Sequence, residues 1–115
     1  IRIKKGDAVE SVKEMKAQIA DTEQEGFDLV FIDAAKSCYR EFWDCSVPLC
    51  RRGAVILSDN VLIKARTASD EFITERRQKT SVRRMREYLS YITRLPYADT
   101  AVIAVGDGVA VSVLK

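Results

Sequence analysis

The sequence predicts an α/β fold whose sheet is mostly parallel and closes with an antiparallel hairpin. Two short, almost continuously apolar runs, residues 27–33 (FDLVFID) and 54–60 (AVILSDN), have the pattern of strands covered on both faces. Each follows a segment of helical character, giving a helix, strand, helix, strand rhythm. The final stretch, residues 100–115, is two β-rich pieces joined by Gly106-Asp107-Gly108, where glycine tolerates the positive φ of a hairpin turn.

The elements follow in order. Gly6-Asp7 starts a helix, because Asp7 can accept from free backbone N–H groups and Glu10, three residues on, completes a capping box. Val9, Val12, Met15 and Ile19 then recur at helical spacing to about Ala20, and a polar loop closed by Gly26 leads into the first strand. Residues 37–50 carry Tyr39, Phe42, Trp43, Val47 and Leu49 without alternation, a helix with Pro48 near its end. Arg51-Arg52-Gly53 reads as a turn before the second strand. Residues 64–79 are polar, with Thr67, Ser69 and Thr80 as equivalent candidate caps; beyond Thr80 an apolar stripe of Val82, Met85, Leu89 and Ile92 runs until Pro96 stops it.

With 115 residues, 47% hydrophobic and 31% charged, the chain has material for one domain, residues 1–115, and one core. A domain of this size hides about two-thirds of its unfolded surface, so a second chain on an open flank would add stability. Nineteen basic against seventeen acidic residues give +2, too little to imply nucleic acid by total charge. Cys38, Cys45 and Cys50 lack CxxC spacing, and no histidine is present to complete a zinc site. They read as reduced thiols of a cytoplasmic protein, and no apolar run approaches the ~20 residues of a membrane span. The chain opens on Ile1-Arg2-Ile3-Lys4-Lys5 as though entering a strand midway, and is expected to be a fragment.

Ligands of open α/β sheets sit beyond the carboxyl ends of the strands. Asp33 ends the first apolar run and Asp59-Asn60 end the second. On neighbouring strands, about 4.8 Å apart, they would converge into an oxygen-only donor set suited to Mg²⁺ or Ca²⁺, with Lys36 at its rim. Taken singly, each has an ordinary reading: an aspartate after a strand caps a helix, SDN is a turn, and a lysine is solvated. Asp107 is read as a turn residue. Between Glu75 and Glu87 lie six cations, Arg76, Arg77, Lys79, Arg83, Arg84 and Arg86. On a continuous helix Arg76, Lys79, Arg83 and Arg86 share one face, either a phosphate-binding surface or a solvated one in which Arg84 pairs with Glu87.

FDLVFIDAAKSCY, GAVILSDNVL and VGDGVAVSV together resemble the C-terminal half of the cation-dependent, S-adenosylmethionine-dependent O-methyltransferases of the catechol and caffeoyl-CoA type. RRQKTSVRRMREY is similar to the bacterial branch that methylates 5-hydroxyuridine at the tRNA wobble position. The resemblance implies the C-terminal part of a Rossmann-like methyltransferase sheet, without the glycine-rich donor-binding half. It implies Asp33, Asp59 and Asn60 as metal ligands, Lys36 as the lysine assisting deprotonation of the acceptor, and Asp7, Ala8 and Asp33 beside the methyl donor. S-adenosylmethionine and Mg²⁺ or another divalent cation are the implied cofactors, and tRNA the implied substrate, bound through the basic helix. A catechol-type small acceptor, and a non-catalytic RNA-binding or oligomerisation module, are the alternatives. A phospho-receiver is disfavoured, because no acidic pair precedes FDLVFID. Gly53-Ala54 stands where the family has a glycine pair, and Ala65 where it has a glycine. With the family's adjoining strand absent, the edge of the first strand would lie open, predicting a homodimer or swapped assembly through it.

Overall fold

The computed structural model describes residues 1–21 and 26–115, so the polar loop expected at 22–25 lies outside the described residues. Its four strands are β1 (Phe27–Ile32), β2 (Cys50–Asp59), β3 (Ala98–Ile103) and β4 (Val109–Leu114), ordered β1-β2-β4-β3 in one sheet. β1 and β2 are parallel; β4 is inserted antiparallel between β2 and β3, so β3 points the same way as β1 and β2. The mostly parallel sheet with a reversed strand is therefore present, as one parallel and two antiparallel ladders.

The helix α1 (Ala8–Asp21) begins at its expected cap, where Asp7 Oδ1 accepts the Glu10 N–H at 3.0 Å. The helix α2 (Tyr39–Ser46) is shorter than residues 37–50, because 3₁₀ turns at Lys36–Cys38 and Val47–Leu49 flank it, the second holding Pro48 in its first turn. The helix α3 spans Arg76–Ile92 and starts before Thr80. Its first turn is closed by Gln78, whose Oε1 accepts the Thr74 and Glu75 N–H groups at 3.2 and 3.4 Å. Ser69 caps something smaller, the 3₁₀ turn Asp70–Phe72, through a 3.3 Å bond from the Glu71 N–H.

Arg51-Arg52-Gly53 is not a turn. The three residues lie inside β2, where the pairing register jumps from Phe27↔Cys50 to Leu29↔Val55. Such an irregularity needs one residue in an unusual conformation, and Gly53, at φ 83°, supplies it without a Cβ penalty.

Alternation along the strands builds the core. Ala54, Ile56 and Ser58 of β2, with Ala110, Ser112 and Leu114 of β4, face α2 and α3 and meet Tyr39, Trp43, Met85, Tyr88 and Ile92. The opposite face carries the rungs Phe31–Leu57–Val111–Ala101 and Leu29–Val55–Val113–Asp99. Leu29 and Phe31 are 56% and 57% exposed there, so the two-sided burial expected of both runs fails on this face of β1, while Val55 and Leu57 of β2 are half-buried. Nor does β1 pair on its outer side with another strand among the described residues.

Candidate active site at the strand ends

The parallel register places Ile32 opposite Ser58, so Asp33 and Asp59 follow as the next residues on strands about 4.8 Å apart. Asp33 is exposed and Asp59 half-buried. Asn60 turns the chain out of β2 at φ 53°, a left-handed conformation that asparagine tolerates better than most residues, and its N–H donates to Asp59 Oδ1 at 2.7 Å.

Lys36, on the 3₁₀ turn after β1, reaches across to β2. Its Nζ donates to Tyr39 Oη at 2.6 Å, to the Asp59 carbonyl oxygen at 3.2 Å and to Asn60 Oδ1 at 3.4 Å. Tyr39 Oη in turn donates to the same Asp59 carbonyl at 2.7 Å. Lys36, Asp59 and Asn60 are thus brought into one hydrogen-bonded group, and Asp33 joins them by register. Tyr39 was missed by sequence reasoning, although its spacing of three from Lys36 is the signal that could have found it.

No cluster of three or more His, Cys, Asp or Glu side chains with metal-binding geometry occurs among the described residues. A cation here would rest on two carboxylates and the Asn60 amide oxygen, a hard donor set suited to Mg²⁺ rather than zinc. The fit rests on the donor chemistry alone, oxygen atoms without sulfur or imidazole, and the Lys36 ammonium 3.4 Å from Asn60 Oδ1 would have to share that oxygen with the ion.

Beneath this group lies a buried polar contact. Ser58 Oγ and Tyr88 Oη are 2.6 Å apart, and the Tyr88 ring meets Tyr39 and Trp43 edge-on, with centroids 5.6 and 6.4 Å away. Burial pushes the Tyr88 phenol well above the ordinary tyrosine range; the Ser58 bond offsets part of this, while Tyr39 and Asp44 add to it.

The loop after Asn60 is held from two sides. On one, the Val61 and Leu62 N–H groups donate to the carbonyls of Gly108 and Asp107 at 3.1 and 2.9 Å, and the Lys64 N–H donates to Asp107 Oδ1 at 2.5 Å. Asp107 is therefore more than a turn residue: it joins the β3–β4 hairpin to the site loop, a contact between distant parts of the chain that no local pattern reveals. Gly108 permits the approach, since a Cβ at that position would stand 2.4 Å from Leu62 Cγ. Ile63, Lys64 and Ala65 have φ of 48°, 52° and 64°, which accounts for the glycine that the family resemblance places at position 65.

On the other side is Arg86. Its Nε donates to the Thr67 carbonyl at 3.0 Å, and its Nη2 to the Arg66 carbonyl at 3.1 Å and Asp70 Oδ1 at 2.8 Å. Of the six cations assigned to a nucleic-acid surface, this one is committed to a clamp within the fold. Arg83, not Arg84, approaches Glu87, at 3.9 Å, because a spacing of four brings them over one another on the helix. Arg76, Arg77, Lys79 and Arg84 are exposed, and their side chains make no hydrogen bond or ion pair among the described residues. Lys79 also lines a 520 Å³ groove with Arg83 and Arg86, together with Asp70 and Glu87.

Of the residues expected beside a methyl donor, Ala8 and Asp33 line one 230 Å³ cavity together with Val12, Ile32 and Phe42. Asp7 lies in a neighbouring crevice with Lys4, Lys5 and Glu10, and one of its oxygens is occupied in capping α1.

An α/β sheet that sets Asp33, Lys36, Asp59 and Asn60 at adjoining strand ends has its polar side chains at the rim where folds of this class take their ligands. The O-methyltransferase family profile matches residues 1–115, and the chain belongs to that family. Probable caffeoyl-CoA O-methyltransferase 1 of Dictyostelium discoideum is 39% identical to it over 56 residues, covering 49% of this chain and 24% of that protein. An O-methyltransferase of Bacillus cereus, solved in complex with S-adenosylhomocysteine, superposes with a TM-score of 0.76 at 26% identity, covering 99% of this chain and 50% of the other. A candidate caffeoyl-CoA O-methyltransferase from Staphylococcus aureus shares the fold, with a TM-score of 0.85 at 24% identity, covering 99% of this chain and 51% of that one. The chain thus spans about half the length of these solved structures and aligns with about a quarter of the curated relative. No described helix is long and apolar enough to cross a membrane.

Proposed function

We propose that the protein carrying this chain is an S-adenosylmethionine-dependent, divalent-cation-dependent O-methyltransferase. The observation that carries the reading is the grouping of Lys36, Asp59 and Asn60 at the end of β2, with Asp33 after the adjoining strand and Ala8 lining the same cavity as Asp33. The S-adenosylhomocysteine bound to the Bacillus cereus relative supports the donor.

Asp33, Asp59 and Asn60 would hold the cation, which lowers the pKa of an acceptor hydroxyl and fixes its direction. Ala8 and Asp33 would border the donor, which supplies the methyl group. Lys36 contributes charge: held by three oxygen acceptors, its Nζ keeps a positive centre at the rim where an acceptor oxygen sheds its proton. Such a site selects acceptors with two adjacent oxygens. We take 5-hydroxyuridine at the tRNA wobble position as the acceptor, and the exposed cations Arg76, Arg77, Lys79 and Arg84 support it as a track for phosphates. A catechol-bearing small acceptor has equal support from the curated relatives, which are named for caffeoyl-CoA.

The test is transfer of labelled methyl by the full protein to hydroxylated tRNA, unmodified tRNA and a catechol ester, with and without chelator. Transfer to hydroxylated tRNA should vanish in chelator and in Asp59→Ala. Methylation of the catechol ester alone would reassign the acceptor, and transfer persisting in excess chelator would remove the cation from the mechanism.

A further inference from the structure

Tyr39 is completely buried, and its ring is wedged edge-on against Tyr88, so its hydroxyl has one place to be. A buried tyrosine normally finds any available partner for its O–H. Here both partners belong to the site. A carbonyl oxygen can only accept, so the 2.7 Å contact with Asp59 uses the Tyr39 proton, and the 2.6 Å contact with Lys36 must use a Tyr39 lone pair. The direction of both bonds is fixed by chemistry.

We propose that Tyr39 is a positioning residue of this site, its hydroxyl tying Lys36 Nζ to the peptide that carries Asp59 and Asn60. Lys36 sits on a short 3₁₀ turn at the end of a flexible four-carbon stem, and the residues around it contribute no carboxylate within ion-pair distance among the described residues. Its other two acceptors, the Asp59 carbonyl and Asn60 Oδ1, are at 3.2 and 3.4 Å, so the shortest restraint on the ammonium is the tyrosine. The same hydroxyl restrains the Asp59 carbonyl at the residue where the chain turns left-handed into Asn60. Tyr39 thereby sets the distance between the positive centre and the oxygen donors. A displacement of about 1 Å between such groups is enough to cost about 100-fold in rate. This inference rests on the methyltransferase reading for its kinetic consequence, but the tie itself can be observed without any donor, cation or acceptor.

The experiment compares the full protein with Tyr39→Phe, which keeps the ring and removes the hydroxyl, and with Asp59→Ala. In protein labelled with ¹⁵N-lysine, a hydrogen-bonded ammonium exchanges slowly enough to give its own ¹⁵N–¹H signal, assigned by its loss in Lys36→Arg. That signal should be present in wild type and broadened beyond detection in Tyr39→Phe. In methyl transfer, Tyr39→Phe should lower kcat about 10- to 100-fold while KM for the acceptor and Kd for Mn²⁺ change less than about threefold. A purely structural hydroxyl would lower the melting temperature and leave kcat per folded molecule intact. Persistence of the Lys36 signal in Tyr39→Phe, or an unchanged kcat in a variant that folds, overturns the proposal while Asp59→Ala still abolishes transfer. If wild type itself binds no Mn²⁺ and transfers no methyl group, the methyltransferase reading has failed and the kinetic role of Tyr39 falls with it.

Discussion

Replacing Arg86 by alanine separates a clamp from a nucleic-acid contact. The Arg86 side chain, 42% exposed, donates through its guanidinium to the Thr67 and Arg66 carbonyls and to Asp70, whose side chain is itself 80% exposed. Solvent screening limits the Asp70 pair to about 0.5 kcal/mol. Each carbonyl bond from a charged donor in this half-exposed setting contributes about 0.5–1 kcal/mol, and loss of the aliphatic stem adds a few tenths. The expected loss is about 2 kcal/mol, or roughly 8 °C in Tm for a domain of this size. Thermal and urea unfolding of Arg86→Ala measure it. Arg84→Ala, on the same helix with an exposed side chain, should fall within about 0.5 kcal/mol of wild type. The two should exchange places in RNA binding: Arg84→Ala lowers affinity and shallows the salt dependence by about one unit of slope, whereas Arg86→Ala keeps the slope. A stable Arg86→Ala with a reduced salt slope would refute the clamp and return the residue to the phosphate-binding surface.

Tyr88 makes alkaline pH a probe of the core. Its phenol is held protonated by burial, so above about pH 10 the unfolded chain loses a proton that the folded chain keeps, and stability must fall as pH rises. Tyr88→Phe should flatten that fall in urea unfolding series and, by orphaning Ser58, cost about 1–2 kcal/mol at pH 7. Gly108→Ala combines a φ of 80° with a Cβ 2.4 Å from Leu62 and should cost at least about 1–2 kcal/mol in the same assay; a neutral result would mean the hairpin does not hold the Asn60 loop. The open β1 edge and the uncovered Leu29 and Phe31 lead us to propose self-association of this chain as a dimer or swapped assembly. Light scattering should show an assembly that Leu29→Lys with Phe31→Lys disperses, and a clean wild-type monomer in dilute solution would sink the idea.

What the sequence revealed and what it hid divide along a physical line. The place of Asp33, Asp59 and Asn60 at the strand ends was legible because a strand is a short apolar run, and the first polar residues after it lie at its rim. Asp7 was legible as a cap because capping is local. The Arg51-Arg52-Gly53 segment misled, since glycine after two arginines signals a turn and a bulge in a strand uses the same φ. The start of α3 was hidden because a glutamate N-cap is a weak signal, although Glu75 and Gln78 carry the spacing of a capping box. Arg86 and Asp107 could not be read at all. Their contacts cross 16 to 20 and 43 residues of chain, and an exposed arginine or a turn aspartate looks the same with or without a distant partner.

These hidden contacts explain how a left-handed loop is kept in place. Ile63, Lys64 and Ala65 each occupy a backbone region that costs an L-residue about 1–2 kcal/mol, so the segment from Asn60 onward would relax if it were tethered only by its ends. Asp107 and Gly108 hold its first half through backbone N–H groups, and Arg86 holds its second half through carbonyls. Opposite polarities are used at the two ends, so neither tether can substitute for the other. Asn60 is consequently held by the loop that follows it, by Lys36 at its side chain, and through the Asp59 carbonyl by Tyr39. The geometry of this rim therefore depends on the hairpin and α3 as much as on the two strands that carry the acidic groups, and under the proposed function the elements C-terminal to Asn60 would shape the site without supplying a ligand.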